Sequence, residues 1–587
     1  MSQSASYSAD LPQTFPMRPY ITLLVYLTSL LPIFVVIAFM YQNMYPIPVR
    51  DQWASRANDF GTVTVATHAR MGTLTFSDLL HQHTEHRHFT YRLVTALVAV
   101  TTNWDIQYES WVGFVLALLT LLMLVHLFAR HQARLWPLGL VAFSALVFSL
   151  RQDNVWLGSN MTVWIYGVFF LVLATWCVFV LPISYATLGL CLITLTLMTF
   201  TIFTGFLAWP ILAIALWLRG YRRWLVYVLM GIVLLVVAIV FFTDYTMPSQ
   251  GLNLDVKDVV RWTFSNLGAP LWPYLSDDWG LSMRVSRYIA VVGMIGLAVN
   301  AMYVLWRERD SQCVGVWLAL AAYGLGSALL VGLGRGSYAH RYVVASNLVW
   351  IALIALVLMA MWHIWHRPAR YRWEAGLFLM NGAGLLIMAG LYIYTNVNTM
   401  PQEKFGQYSQ DRDYWVNCLL NYPIDRNESC FGEIAPFGAQ HPDDHYTRAS
   451  GISIQRLTVF HDLPVPAAMA HDTSVIPVII EAPTAWQAYH MWDRLPQHLR
   501  TDKIMFVLPI ADDETHAILD DVGVCVGMDD QGWIATFIQA ASELWVMQYE
   551  RDTVTAHLAD DYILEDEYPA YTDPTQPFSM IRYQRPG

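Results

Sequence analysis

Long apolar runs separated by short, arginine-bearing polar stretches fill the first two thirds of the chain. A helix needs about 20 apolar residues to cross a hydrocarbon core of roughly 30 Å. On that measure the pattern predicts eleven spans, at about 20–42, 107–129, 134–150, 161–182, 185–203, 204–219, 224–243, 285–306, 313–333, 341–362 and 373–395. Residues 91–103 are apolar but short, and read as a half-helix or an interfacial segment. No small-residue cleavage site comes after the first run, which reads as a retained signal-anchor. Beyond residue 395 the pattern changes. β-like runs at 474–480, 503–510, 522–528 and 578–584 alternate with helix-like stretches at 484–495 and 536–548. The expected architecture is an α-helical polytopic membrane protein of about 11 transmembrane helices, followed by a C-terminal extracytoplasmic α/β domain.

Composition agrees. The 587 residues are 56% hydrophobic and only 13% charged, with a mean hydropathy of +0.39. The net charge of −11 is unevenly spread: residues 1–395 hold 16 acidic and 23 basic side chains, residues 396–587 hold 29 and 11. This shift marks a boundary, giving a short N-terminus (1–19), a membrane domain (20–395) with large outer loops at 43–106 and 244–284, and a soluble domain (396–587). The acidic tail argues against nucleic acid as a partner.

Arginine in short loops sets the orientation. With the N-terminus inside, inner loops carry Arg18, Arg130, Arg134, Arg219, Arg222, Arg223, Arg307, Arg309, Arg367, Arg370 and Arg372, whereas short outer loops carry only Arg151, Arg335 and Arg341. The N-terminus is therefore expected in the cytoplasm and the tail outside, in a plasma (inner) membrane. Cys418 and Cys430 in an exported tail suit a disulfide, leaving Cys525 in an apolar, strand-like run.

Unusual polar residues collect on the expected outer face. RDQW at 50–53 comes just after the first span; Asp51 there suits a general base or a plain surface acid, and Trp53 an interfacial anchor. HQHTEHRHF at 81–89 packs four histidines, Glu85 and Arg87 into a greasy chain. If residues 79–92 are helical, His81, Glu85, His88 and Arg92 share a face. Three readings stand: phosphate or sugar binding through His83, His86 and Arg87 with Glu85 orienting them, a structural polar cluster, or a divalent metal held by His81, Glu85 and His88. RQDNVW (151–156) and GRGSYAHRY (334–342) complete the set. Arg335 and Arg341 suit an anionic substrate, lipid headgroups or acids of the tail. Gly332, Gly334 and Gly336 would let a ligand approach the backbone.

In order along the chain stand one span, RDQW, GTLTFSDLLHQHTEHRHFTYRL, a loop with Gln152, Asn154 and Trp156, FTGFLAWP at 203–210, and GRGSYAHRYVVASNLVW. This ordered set, covering roughly 40–350, resembles a group of bacterial multi-span proteins with D-x-W, G-x-L, HNEHR followed by an R-L pair, QxENxxWG, NGxxxWP and GR…SRY, similar to type C (GT-C) glycosyltransferases. This chain departs from the pattern at Thr84, Asp153, Thr204 and His340. The resemblance implies transfer of a sugar from a polyprenyl-phosphate or -diphosphate carrier to an acceptor on the outer face, with inversion. It implies Asp51 as general base, Arg87, Arg335 and Arg341 on the lipid phosphate, and Glu85, His83, His86, Gln152 and Asn154 around the substrate. Membrane lipid and a polyprenyl-phosphate-linked sugar are the partners implied. Two other classes remain open: a non-catalytic scaffold or accessory subunit, and a transporter of a lipid-linked anion. Transport would favour ionisable residues near the midplane, where the spans hold few acids.

Overall fold

The apolar runs fold into helices whose burial separates bundle core from lipid-facing rim. The computed structural model describes residues 19–53, 61–246, 252–271, 279–308, 311–366, 371–399, a few positions between 414 and 434, and the backbone of five strands beyond them. In chain order the helices are α1 (Pro19–Asn43), α2 (Thr62–Met71), α3 (Phe76–Leu80), α4 (Phe89–Thr102), α5 (Gln107–His131), α6 (Trp136–Val147), α7 (Asp153–Leu157), α8 (Val163–Val180), α9 (Tyr185–Thr201), α10 (Ala208–Leu218), α11 (Trp224–Phe242), α12 (Val256–Gly268), α13 (Trp279–Glu308), α14 (Ser311–Gly334), α15 (Val343–His366) and α16 (Arg372–Ile393).

Among the described residues, eight helices are long and apolar enough to cross a membrane: α1, α5, α8, α11, α13, α14, α15 and α16. The runs read as spans at 134–150, 185–203 and 204–219 correspond to α6, α9 and α10, of 12, 17 and 11 residues. At 1.5 Å per residue these reach roughly 17 to 26 Å, shorter than any of the eight. Hydropathy does not register where backbone leaves the helix: Ile202, extended at φ −143°, separates α9 from the segment that leads into α10. Residues 91–103 lie largely within the 14-residue α4.

The chain divides into two compact units. The first comprises Met1–Tyr45, Leu80–Leu93 and Gln107–Arg412. A helix apolar on every side belongs in a core or against lipid. α15 is the core helix: every residue of its most apolar stretch is buried, whereas α1, α11 and α16 expose most of theirs. α15 packs on α13 and α14, α5 on α8, and α8 on α9. Within the stretch read as an outer loop, 244–284, α12 packs on α13 and α14. Gly332 permits that approach: a Cβ there would meet the Val259 carbonyl at 2.8 Å. The close backbone contact at Gly332 is thus with α12, not with a ligand.

The second unit comprises Pro46–Leu79, Val94–Ile106 and Asp413–Gly587. Segments 46–79 and 94–106 therefore belong to the same unit as residues 413–587. Trp53 is buried and donates to the Pro48 carbonyl at 2.7 Å, a core position and not an interfacial anchor. The strands β1 (Ile476–Ala482), β2 (Lys503–Pro509), β3 (Glu543–Gln548), β4 (Ile563–Pro569) and β5 (Ser579–Gln584) form one sheet in the order β2-β1-β3-β5-β4. β1 is parallel to β2 and β3, while β5 is antiparallel to β3 and β4. Residues 543–548, read as the end of a helix, are a strand; a short apolar run does not reveal its own period. The run 522–528 lies outside the described residues.

One ion pair ties two bundle helices together. Glu374, fully buried in the first turn of α16, accepts from Arg307 in the last turn of α13 and lies 3.4 Å from the Tyr303 hydroxyl. Removing one partner strands the other charge. Glu374→Ala is expected to cost about 3 kcal/mol, measured as a lower thermal unfolding midpoint in detergent, with Glu374→Gln losing less.

Candidate functional site

Residues 81–88 are not helical. α3 ends at Leu80 and α4 begins at Phe89; between them the chain doubles back on itself. His83 N–H donates to the His86 carbonyl at 2.7 Å and His86 N–H returns a bond to His83 at 2.8 Å. This two-residue turn holds Thr84 at φ 51°, and His88 lies just beyond it at φ 44°. The helical face that would have aligned His81, Glu85 and His88 does not exist. His81 Nδ1 contacts the Gln82 carbonyl at 3.0 Å, and the His88 ring stacks on His86 at 5.2 Å. Among the described residues no three His, Cys, Asp or Glu side chains are placed to hold a metal ion.

The turn presents Glu85 to the loop after α14. Arg335 Nε and Nη2 donate to Glu85 Oε1 at 3.1 and 2.7 Å, and Nη2 reaches Oε2 at 2.7 Å. Burial pushes the Glu85 carboxyl up, but His86 and Arg335 beside it hold it down at about 2. His86 is fixed as one tautomer. Its Nδ1 accepts the Phe203 N–H at 3.0 Å, so the ring proton sits on Nε2, 3.4 Å from Glu85 Oε1. Burial takes His86 down to about 4, and Arg335, His83 and Arg341 reinforce it against the pull of Glu85. At neutral pH Glu85 is ionised and His86 is neutral.

Arg335 also borders a cleft of about 550 Å³, lined by Leu252, Asn253, Asp258, Trp262, Gly334, Arg335, Gly336, Ser337, Arg341 and Tyr342. Gly336, at φ 54°, turns the loop at the cleft wall and comes close to Asn253. Among the described residues the Arg341 guanidinium reaches only the Tyr342 hydroxyl, at 3.4 Å, and lies over that ring at 5.1 Å. A guanidinium without a carboxylate, in a cleft with an apolar side at Leu252 and Trp262, can hold an oxyanion by paired N–H donors.

Other expected site residues are elsewhere or otherwise engaged. Arg87 is buried, donating from Nε to the Phe241 carbonyl at 2.8 Å, from Nη1 to Leu80 at 2.7 Å and from Nη2 to Thr243. It caps the carbonyl end of α11. His83 is buried, its ring 4.9 Å from His88. Gln152 donates to the Val147 carbonyl and borders a separate internal cavity of about 20 Å³ with Asn347. Asn154 sits in the first turn of α7, its backbone N–H bonded to Asp153. Arg50–Trp53 form a single tight turn, with the Asp51 carboxylate outside the described residues. Cys418 is disulfide-bonded, while Cys430 and Cys525 lie outside the described residues.

Two polar pairs escaped the sequence. Asp153, fully buried, lies 2.5 Å from His340 Nδ1; both positions had stood out only as departures from a motif. Glu109, fully buried in the first turn of α5, accepts from the Tyr91 hydroxyl at 2.5 Å. No local spacing links residues 18 or 187 positions apart, so only the order of unusual polar residues in apolar surroundings hinted at them.

The turn has two measurable consequences. A β-branched residue at positive φ is strained by roughly 1–2 kcal/mol, and Asn tolerates that region better; Thr84→Asn is expected to raise the thermal midpoint by about 1 kcal/mol equivalent. His86 binds its proton less readily folded than unfolded, where the value is about 6.5. Stability is therefore full above that value and falls as pH drops toward about 4. Thermal midpoints read from pH 7.5 to 4.5 should decline, and His86→Gln, which keeps an acceptor for Phe203, should flatten the decline.

No family model and no curated protein matches the chain. Among solved structures it is similar to ArnT from Cupriavidus metallidurans in the apo state, at 14% identity and a TM-score of 0.40 over 96% of this chain and 98% of that one. ArnT bound to undecaprenyl phosphate aligns at 15% identity and a TM-score of 0.37, with the same coverage. The oligosaccharyltransferase AglB from Archaeoglobus fulgidus, in complex with an inhibitory peptide and a dolichol-phosphate, aligns at 13% identity and 0.37 over 97% of this chain and 74% of that one.

Proposed function

We propose that this protein is an inverting membrane glycosyltransferase of the GT-C type, which moves a sugar from a polyprenyl-phosphate-type carrier to an acceptor at the extracytoplasmic face of the plasma membrane. The observation that carries this reading is the cleft at Arg335 and Arg341. One guanidinium is fixed by a carboxylate at its wall, a second lies open to a ligand, and apolar Leu252 and Trp262 stand beside them. That combination suits an oxyanion joined to a hydrocarbon chain. The ordered motifs, which resemble those of a group of bacterial multi-span proteins similar to GT-C enzymes, support the same class.

In this reading the acceptor oxygen attacks the anomeric carbon as the bond from that carbon to the phosphate oxygen breaks. The bonding pair stays on the phosphate, where Arg341 meets the developing charge. The acceptor proton passes to the Asp51 carboxylate. Arg87 acts through the fold by holding α11, and Glu85 through Arg335. Cys418 pairs with Cys430 in the exported tail.

Purified full-length protein in nanodiscs, given a panel of polyprenyl-phosphate sugars, is expected to consume donor and release polyprenyl phosphate. Asp51→Asn should lower kcat by roughly 10²-fold or more without changing the thermal midpoint. Arg341→Ala should raise the donor KM about tenfold. Full activity in Asp51→Asn, or no donor consumed across the panel, defeats the proposal.

A further inference from the structure

The charges that line the cleft can be counted residue by residue. Among the described residues the cleft is lined by two cations, Arg335 and Arg341, and one acid, Asp258. Arg335 is already matched, its guanidinium bound to both oxygens of Glu85. Asp258 lies 3.7 Å from Arg261 on the exposed side of α12, and that pair contributes no net charge. The neighbouring histidine of the turn is neutral, with Nδ1 accepting from Phe203. Arg87, whose charge could have added to the cleft, directs its donors at three backbone carbonyls. His340, next to Arg341, is taken up by buried Asp153. Of the two cations that line the cleft, Arg341 is the one with no carboxylate partner among the described residues.

We propose that this cleft selects a carrier whose sugar is joined through a single phosphate and discriminates against a diphosphate linkage. This deepens the reading given under Proposed function and rests on it. A phosphodiester to sugar and polyprenol carries one negative charge, which Arg341 balances with two N–H donors. A diphosphate linkage carries two. Its second charge would have to displace Glu85 from Arg335 or sit partly desolvated beside the Glu85 carboxylate; both are costly, because a bidentate pair is broken or like charges meet. Glu85 is thus a specificity-determining residue that acts by occupying Arg335.

One isosteric substitution should reverse the preference. Glu85→Gln removes the carboxylate charge, keeps the side-chain length and leaves Arg335 available to a second phosphate. The probes are farnesyl methyl phosphate, with one charge, and farnesyl methyl diphosphate, with two. Their binding to full-length protein in nanodiscs is measured by calorimetry at pH 7 and low salt. Wild-type protein is expected to bind the monophosphate at least roughly tenfold more tightly. Glu85→Gln should shift the ratio toward the diphosphate by a similar factor. Arg341→Gln, which leaves the Glu85–Arg335 pair intact, should weaken the monophosphate about tenfold and keeps the test decisive should Glu85→Gln fail to fold. A wild-type protein that binds the diphosphate as tightly as the monophosphate overturns the selection rule while leaving the glycosyltransferase reading standing. If neither probe binds, both fall.

Discussion

A carboxylate and a guanidinium from opposite ends of the bundle sequence meet at Glu85 and Arg335, and the outer end of the helical unit is organised around that meeting. Each group alone, three-quarters withdrawn from water, would be costly. Together they satisfy one another through three short contacts. The pair joins the turn between α3 and α4 to the loop after α14, segments 250 positions apart. That constraint decides which cation in the cleft is matched and which is left over.

The histidine-rich turn serves this constraint in several directions at once. Gln82 exchanges hydrogen bonds with Thr246, Arg87 closes the carbonyl end of α11, His86 accepts from Phe203 at the start of the link into α10, and Arg92 reaches back to the His81 carbonyl. Four histidines in so short a stretch look like a ligand set. They are instead mostly buried and stacked, with rings 4.9 to 5.2 Å apart. Burial drives His86 and His88 toward the neutral form, whose flat ring offers apolar surface for packing. Among the described residues of the turn, Glu85 bears on the cleft through Arg335.

The sequence made the membrane character plain, because twenty-residue apolar runs have few other uses. It also singled out Arg335 and Arg341 as the unusual cations of a short loop, since arginine avoids such positions without a reason. Two kinds of information were missing. The helix end at Phe148 leaves no mark on hydropathy, because the residue is apolar. Backbone reversal at Thr84 was hidden because threonine is a poor signature for positive φ, where Gly or Asn would have announced the turn. Long-range pairs such as Tyr91 with Glu109 have no local period at all.

The two oddest departures from the motif pattern turn out to be a single feature. Asp153 puts a carboxylate where its α7 turn is fully buried, and a charge there needs a partner. His340, in the position where the pattern has serine, supplies one at 2.5 Å. Tyr338 on the same loop accepts from buried Arg151 at 3.0 Å, and Asn266 donates to the Ser337 carbonyl at 3.1 Å. The loop is thus held at Arg335, Ser337, Tyr338 and His340, while the Arg341 side chain beside these anchors is uncommitted to any acid. A long cationic side chain loses up to about 2 kcal/mol of rotamer freedom when it is fixed on a ligand; a rigid backbone beneath it removes the further cost of ordering the loop. Replacing serine with histidine at position 340 would make little sense alone, and neither would a buried aspartate at 153. As a pair they keep the one available charge at the cleft on a fixed footing.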